Sequence, residues 1–548
     1  MSALAHILVV PVVLPLITAT LLLLLGEKIR WLRTVLSVGA TLAGLVVALE
    51  ILRRAHTEQV SSTAYLLSNW QAPFGIVFVS DRFSALMLVM VGIVSFCAAL
   101  YGEARWARAG AYFHPLFQIQ LMGLNGAFLT GDLFNLFVFF EVMLAASYGL
   151  HLHGSGWLRV RSGLHYIAVN LLASSLFLVG LAVIYGVMGT LSMADIAEKL
   201  ALVPEHDRGL LHAGVAILAV AFLTKAAIWP LNAWLVPAYA ATSAPVAALF
   251  ALMTKVGFYA LVRLWTLFFL TGNSVRFGET VLLYAGLSTI AFGTVGVFAS
   301  TSLSRIAGFS VIVSSGTLLA ALGMGSPAVT SAALFYMLSA TFAVCALFLL
   351  VELLERIDVG EARRISNLEL ILDEDTNLDD EAVPLVGRVF SVSIALLGLA
   401  FLVCALLVAG LPPFSGFLAK AALLSALLSP LNASISVAVP VASSAWIFFG
   451  LLLLSGLAAT ISLSRVGIRR FWSINGSVPP RLRGVEAASV CGLVTACFLL
   501  TLFAEPVLRT TQATAAELHS PRIYIERVVV QESRPGPARS TANEGSVP

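Results

Sequence analysis

Four ionisable residues lie inside long apolar segments of this 548-residue chain. They are one carboxylate, Glu141, and three lysines, Lys225, Lys255 and Lys420. A charged side chain at the centre of a bilayer costs roughly 2.5–3.5 kcal/mol, so it is normally kept only where it has a partner or faces water. The protonation of lysine shifts readily on burial, whereas arginine stays charged. This set of residues therefore predicts charge movement, and proton movement in particular, through a membrane.

Proline-containing segments adjoin two of the lysines. The prolines are Pro230, Pro237, Pro412 and Pro413. Proline removes a backbone donor and clashes with the preceding turn, which frees carbonyl groups. Freed carbonyls are tolerated at membrane depth only where they face protein or water, so the breaks predict a wet site beside Lys225 and Lys420. The simpler alternative is a kinked helix whose lysine reaches the membrane surface.

Smaller polar residues in the same segments could line a path between the charges. The candidates are Asn170, Ser174, Thr224, Ser314, Ser315, Tyr336, Ser339 and Thr341. For most of them a structural role is the simpler interpretation, because Ser and Thr often bond to their own backbone and Asn joins helices. Arg263, eight residues after Lys255, is expected to be an anchor or an exit-side charge.

The elements that position these residues must be membrane helices. The chain is 59% hydrophobic and 11% charged, whereas about a quarter of the residues in soluble domains are charged. A net charge of +3 gives no reason to expect nucleic acid as a partner. The cysteines lack the paired spacing of metal ligands, and no nucleotide-binding loop is present, so neither a metal nor another cofactor is expected. The cysteines, which we interpret as small buried residues, are Cys97, Cys345, Cys404, Cys491 and Cys497.

With about 20 apolar residues for each crossing, the sequence predicts an all-α polytopic membrane protein with about 14 transmembrane helices. Broken helices in corresponding halves of a chain are typical of transporters with inverted repeats, so we predict two inverted five-helix repeats, each with one broken helix. The predicted units are three N-terminal helices (1–111), a first repeat (112–269), a second repeat (279–464) with a cytoplasmic loop (355–388), a last helix (465–504) and a polar, extended extramembrane tail (505–548). Lys and Arg concentrate in alternate loops, and the positive-inside rule then puts both termini outside the cytoplasm.

Three motifs resemble one known family. They are GAFLTGDLFNLFVFFEVMLAASY (126–148), TKAAIWPLNAWLVPAYAATSAPVAALFALMTKVGFYALVR (224–263) and LPPFSGFLAK (411–420). Together they resemble the proton-pumping subunits shared by respiratory complex I, membrane-bound hydrogenases and Mrp-type cation/proton antiporters. The GDLFNLFVFFE segment and Lys420 most resemble the D subunits of Mrp or Pha antiporters, because the complex I chain of similar length typically has a glutamate at the position of Lys420.

The resemblance implies roles for the four ionisable residues. Glu141 is expected to pair with Lys225 on the broken seventh helix, Lys255 to act as a relay, and Lys420 to be the terminal residue on the broken twelfth helix. The resemblance also implies a bacterial inner-membrane protein that assembles with other hydrophobic antiporter subunits. The transported ions would be protons and either Na+ or K+, and the chain would be a transporter subunit without enzymatic activity of its own.

The sequence departs from the family pattern at two places. Histidines are usual where this chain has Asn232 and Tyr239, and a histidine and a lysine are common on the eleventh helix, where LFYMLSATFAVCALF has neither. The relay between Lys255 and Lys420 is therefore expected to use water and the polar residues at 336, 339 and 341. Two alternatives stay open: a proton-pumping subunit of complex I or of a hydrogenase, and a structural scaffold subunit of such a complex.

Overall fold

The structure is a computed structural model that describes residues 5–25, 29–57, 63–67, 70, 75–269, 277–369, 392–428, 442–471 and 482–532. Helices dominate this part of the chain. The first nine are α1 (Val10–Leu24), α2 (Arg30–Thr57), α3 (Arg82–Ala104), α4 (Phe113–Leu129), α5 (Leu133–Leu152), α6 (Trp157–Met188), α7 (Met193–Lys199), α8 (Glu205–Lys225) and α9 (Leu235–Ala241). The others are α10 (Ala244–Phe268), α11 (Glu279–Ala299), α12 (Leu303–Gly323), α13 (Pro327–Glu369), α14 (Val392–Ala409), α15 (Ser415–Leu428), α16 (Ser443–Phe471), α17 (Gly484–Leu502), α18 (Ala504–Leu518) and α19 (Arg522–Glu532).

Twelve of the described helices are long and apolar enough to cross a membrane. The predicted crossings that fall short of this length are α1, with 15 residues, and α4, with 17. An apolar helix of about 20 residues spans the hydrocarbon core with all its backbone groups bonded internally. The predicted multi-pass, all-α membrane fold is confirmed.

Each of the two predicted five-helix repeats contains one interrupted unit. In the first repeat, α8 and α9 form an interrupted unit between α6 and α10. In the second repeat, α14 and α15 form an interrupted unit between α13 and α16. The interrupted unit is thus the fourth of five in both predicted repeats. An inverted relation between the two repeats, and the domain boundaries drawn from it, stay predictions.

The helix α10 runs through the centre of the molecule. Every residue from Ala244 to Phe268 is buried. It packs against α3, α8, α12 and α13, which together surround it. Because a helix that is apolar all round belongs in a protein or lipid interior, the two charged residues of α10, Lys255 and Arg263, must be matched by groups on these neighbours.

One end of the bundle, here called the hairpin face, carries most of the structure that lies outside the long helices. Its antiparallel hairpin consists of β1 (Thr63–Leu66) and β2 (Val77–Ser80). An isolated antiparallel bridge between Phe78 and Thr130 connects the hairpin to the segment between α4 and α5. A second bridge, between Asp132 and Ser192, connects that segment to the start of α7. The helices α18 and α19 also lie at this end.

The prediction of an extended C-terminal tail is wrong for the described part of that segment. The helix α18 buries Thr511, Thr514, Ala515 and Leu518, which is the i, i+3, i+4, i+7 spacing of one helical face. His519 Nε2 lies 3.1 Å from Thr330 Oγ1, which fixes the end of α18 against α13. The average polarity of the segment hid this periodic pattern. Residues 533–548 lie outside the described residues.

Two smaller expectations also change. The helix α13 continues to Glu369, so residues 355–369 of the predicted cytoplasmic loop are helical, and residues 370–388 lie outside the described residues. Four of the five cysteines are buried, as expected, whereas Cys491 is exposed; all five are free. The exposed thiol lies on α17, within one of the membrane-length helices.

Candidate functional site

Glu141 lies in the middle of α5, a helix whose start is fixed by Asp132. The Asp132 side chain accepts a 2.8 Å hydrogen bond from the Asn135 amide, which caps the helix. Glu141 is half-buried, and within the described structure its Oε1 atom is buried without a hydrogen-bond partner. A buried carboxylate oxygen left without a partner is costly, so this position needs water or a cation nearby.

Lys225 is the last residue of α8 and is only 4% exposed. Its Nζ donates a 3.1 Å hydrogen bond to Ser174 Oγ on α6. The same Nζ lies 4.9 Å from the ring centre of Phe140, the residue before Glu141. Because Phe140 and Glu141 are adjacent on α5, the Glu141 segment lies next to Lys225, but the two side chains do not form an ion pair within 4.0 Å in the described structure.

The backbone break after Lys225 follows from its local sequence. Residues 226–234 are not helical; Ala227 has φ 57°, and the peptide bond before Pro230 is cis. The Thr224 carbonyl accepts hydrogen bonds from the Ala227 amide at 3.1 Å and from Trp234 Nε1 at 3.2 Å, so it stays bonded at the break. Pro237 lies in the first turn of α9, where backbone N–H groups have no helical acceptor, so the missing N–H of proline costs no hydrogen bond there. Pro230 thus lies within the break, whereas Pro237 belongs to the start of the second half.

Lys255 lies at the centre of the buried helix α10 and is 2% exposed. Its Nζ donates a 3.0 Å hydrogen bond to Ser314 Oγ on α12. The backbones of α8 and α10 come very close beside it: a Cβ atom on Gly257 would lie 2.8 Å from the Ala226 nitrogen. The closeness of these two backbones brings the Lys225 and Lys255 segments into direct contact.

The second break carries Lys420. Gly410 has φ 77°, a conformation that glycine adopts without strain, and Pro412 and Pro413 fill the gap between α14 and α15. Lys420 Nζ donates a 2.7 Å hydrogen bond to the Ala409 carbonyl, which is freed where α14 ends. The two breaks therefore differ in detail, because Lys225 precedes its break whereas Lys420 follows it.

A small cavity lies beside Lys420, with Tyr336 in its wall. Its volume is about 30 Å³, and the polar residues that line it are Ser310, Tyr336, Ser339, Lys420 and Ser455. This volume accommodates about two water molecules with several polar partners each. Tyr336 lines this cavity, and its hydroxyl also lies beside Ser314 and Thr317 on α12. Ser314, Tyr336 and the cavity thus form a polar connection across the segment that lacks the family's histidine and lysine.

The remaining path candidates have varied surroundings. Asn170 Nδ2 donates to the Tyr166 carbonyl one turn earlier, and Thr224 Oγ1 donates to the Val220 carbonyl, so both are engaged with their own helices. Ser339 Oγ lies 2.9 Å from Ser415 Oγ at the start of α15. The Thr341 hydroxyl is buried without a hydrogen-bond partner in the described structure and does not line the cavity.

Arg263 forms a different kind of contact from the three lysines. It donates two hydrogen bonds to Asp81, at 2.6 and 2.8 Å, and one to Tyr259 Oη at 3.0 Å. Burial alone would raise the pKa of the Asp81 carboxyl, but the guanidinium outweighs it and the pKa lies below its usual value. Arg263 is therefore held in a bidentate ion pair at the hairpin face, and Asp81 is a partner that sequence reasoning missed.

Sequence reasoning missed several other contacts of the site. Phe140 contributes its ring face to Lys225, and Ser415 and Ser455 lie at the cavity region. Ser415 stands inside the LPPFSGFLAK motif, so its position near the second break could have been noticed. The others carry no sequence signal, because an apolar or serine residue in a membrane helix is ordinary. Within the described chain, no group of three or more His, Cys, Asp or Glu side chains is arranged to hold a metal ion.

Membrane-length helices around a central buried helix, with lysines at two interrupted helices, define a multi-pass membrane protein with an ionisable interior. The family described as NADH:quinone oxidoreductase/Mrp antiporter, TM, matches residues 130–445. The chain belongs to this family.

Relatives match over nearly the whole chain. A Rhizobium meliloti (strain 1021) protein, named as the probable D subunit of a K(+)/H(+) antiporter, is 50% identical over 531 residues, which is 96% of this chain and 97% of that protein. The D subunit of the Na(+)/H(+) antiporter of Alkalihalophilus pseudofirmus is 32% identical, over 96% of this chain and 99% of that protein. A chain in the structure of the Mrp complex from Dietzia sp. DQ12-45-1b superposes with a TM-score of 0.79 at 26% identity, covering 96% of this chain and 100% of that one.

Proposed function

We propose that this chain is the D-type subunit of a multisubunit antiporter that exchanges a monovalent cation, K+ or Na+, for protons. The antiporter names of the two relatives support the class of transport, and the name of the 50% identical relative makes K+ the first cation to test. The proposal includes other hydrophobic subunits as partners, a location in the bacterial inner membrane, and both termini outside the cytoplasm, so that the hairpin face is external.

One observation carries the assignment of the proton path. Each interior lysine donates to a neutral oxygen: Ser174 Oγ for the buried Lys225, Ser314 Oγ for the buried Lys255, and the Ala409 carbonyl for the half-buried Lys420. Both the ammonium and the neutral amine can donate such a bond. A lysine held in this way keeps its hydrogen bond when it loses a proton, whereas a lysine held by a carboxylate would lose an ion pair.

The contrast with Arg263 supports this interpretation. Its bidentate contact with Asp81 holds both charges permanently, and arginine keeps its proton at any physiological pH. The fixed ion pair at one end of α10 differs in kind from the neutral hydrogen bonds of the interior lysines, which supports the proposal that the lysines exchange protons. We assign Arg263 to the stability of the hairpin face and the lysines to transport.

The proposed proton path begins at Glu141 and Lys225. A charged Glu141 stabilises the Lys225 ammonium through space, and loss of that interaction favours transfer of the proton towards Lys255. From Lys255 the proton passes by Ser314, Tyr336 and the water-sized cavity to Lys420. A membrane potential of 100 mV supplies about 2.3 kcal/mol for each charge that crosses, which can drive extrusion of a cation.

The test is cation-dependent proton exchange in everted vesicles that contain the complete complex. Lys225→Ala, Lys420→Ala and Glu141→Ala are each expected to abolish the exchange without loss of assembly. The matched control is Lys199→Ala, because Lys199 lies on α7 at the hairpin face in an exposed pair with Asp195. Wild-type exchange rates in all three interior variants would show that the path runs elsewhere and would favour a scaffold role. Parallel assays with K+ and with Na+ identify the cation.

A further inference from the structure

A cavity of about 580 Å³ opens at the end of the bundle opposite the hairpin face. It lies between the start of α2, the end of α3 and the start of α4. The lining residues that matter for binding are Arg30, Trp31, Arg33, Glu103, Arg108 and His114. Its lining includes neither Glu141 nor any of the three interior lysines, and the proposed proton path does not use it.

The cavity has an excess of positive charge. Among the described residues of its lining, the one carboxylate is Glu103, which accepts a 2.7 Å hydrogen bond from Thr34 Oγ1 and lies 3.3 Å from His114 Nε2. Arg33 is only 9% exposed, and its Nε has no hydrogen-bond partner in the described part of the chain. A nearly buried guanidinium with an unused donor costs free energy unless an anion or water completes its bonding. The two other arginines of the lining, Arg30 and Arg108, are exposed at its mouth.

The surroundings of the cavity are those of a membrane interface. Trp31 is 69% exposed at the rim, and exposed tryptophan is typical of the level of lipid head groups. From Trp31 an exposed apolar stripe continues along α2 through Val35, Leu42, Val46 and Leu49. These positions recur at helical spacing, so they lie on one face of α2. A cationic cavity thus adjoins a continuous apolar surface that leads towards the middle of the membrane.

We propose that this cavity binds the head-group phosphate of an anionic phospholipid, with the acyl chains lying along the exposed face of α2. Arginine presents several donors in a planar group that matches phosphate oxygens, and Arg33 has the unused donor. Basic cavities beside membrane helices on the cytoplasmic side are suited to anionic head groups. The apolar stripe favours a phospholipid over free phosphate, because only the lipid covers both surfaces at once.

The experiment is performed on the complete purified complex after detergent delipidation. Binding of a fluorescent phosphatidylglycerol is measured for the wild type and for an Arg33→Gln/Arg108→Gln variant. The matched control is Arg161→Gln, because Arg161 is exposed at the start of α6 on the same end of the bundle but outside the cavity. The double variant is expected to bind at least about tenfold more weakly, because it loses charge-assisted hydrogen bonds, while the control binds like the wild type.

Competition on the wild-type complex gives a second result that needs no variant. Unlabelled phosphatidylglycerol is expected to displace the probe, whereas phosphatidylcholine and inorganic phosphate at the same concentration are not. Displacement by inorganic phosphate alone would assign the cavity to a free anion. Equal binding by the wild type and the double variant, or loss of a neighbouring subunit from the variant complex with lipid binding intact, would overturn the lipid assignment.

Discussion

Removal of the Tyr336 hydroxyl tests the connection between Lys255 and Lys420. The Tyr336 hydroxyl lies beside Ser314, which accepts the hydrogen bond from Lys255. The Tyr336 side chain also lines the cavity beside Lys420. Tyr336→Phe keeps the ring and its packing on α13. Loss of one neutral hydrogen bond lowers the free energy of unfolding by only about 0.5–1.5 kcal/mol, so the complex is expected to assemble.

The expected effect on transport is larger than the effect on stability. A hydrogen bond to a charged group contributes about 1.5–3 kcal/mol, and each 1.36 kcal/mol of barrier is a tenfold change in rate. If the hydroxyl stabilises the proton in transit, Tyr336→Phe slows exchange by about 10- to 150-fold. The assay is the initial rate of cation-dependent proton exchange in everted vesicles, divided by the amount of assembled complex.

Tyr284→Phe is the matched control, because Tyr284 is exposed on α11. It is expected to exchange at the wild-type rate. A Tyr336→Phe rate within twofold of the wild type would refute the tyrosine step and leave the transfer to water and serine hydroxyls.

Three further predictions concern packing, the fixed ion pair and the C-terminal helices. Gly257→Ala puts a Cβ atom 2.8 Å from the Ala226 nitrogen at the end of α8 and is expected to lower the free energy of unfolding by about 1–3 kcal/mol, measured by thermal unfolding. Gly186→Ala adds a Cβ atom that meets nothing within 4 Å and is expected to leave the stability unchanged. Asp81→Asn leaves the buried Arg263 guanidinium without its carboxylate and is expected to lower the free energy of unfolding by about 3–5 kcal/mol. Loss of the more exposed ion pair between Arg82 and Glu517 is expected to lower it by less than about 1 kcal/mol. Equal effects would contradict the assignment of Asp81 and Arg263 to a buried structural ion pair. Burial lowers the pKa of His519 to about 4 from about 6.5, so the docking of α18 is stable above pH 6.5 and weakens as the pH falls towards 4. Limited proteolysis at pH 7 and pH 5 measures this, and equal protection at both values would contradict it.

The sequence predicts the membrane architecture and the positions of both helix breaks well, because long apolar segments and prolines act locally. At the second interruption, Lys420 donates to the Ala409 carbonyl that is freed there. At the first, Trp234 bonds the Thr224 carbonyl, and Lys225 donates to Ser174 instead. Pro237 does not interrupt a helix, because Pro230 already lies within the break. Pro237 lies in the first turn of α9, where its missing backbone N–H removes no helical hydrogen bond.

Contacts between distant segments could not be predicted. Nothing in the sequence of α3 pairs Asp81 with Arg263, which lies 182 positions later, because only the packing of α3 against α10 brings them together. The position of Ser314 beside Lys255 has the same origin. The amphipathic helix α18 is a different case, because its spacing was present in the sequence but was hidden by the polar composition of the segment.

Arginine substitution shows whether the interior lysines change protonation during transport. Lys225→Arg and Lys420→Arg keep a positive charge at each site, but the guanidinium keeps its proton. Both variants are expected to assemble, and neither is expected to support cation-dependent proton exchange in everted vesicles, while Lys199→Arg exchanges normally. Exchange at the wild-type rate by Lys225→Arg would contradict the proposed proton path, because a residue that cannot release a proton would then suffice.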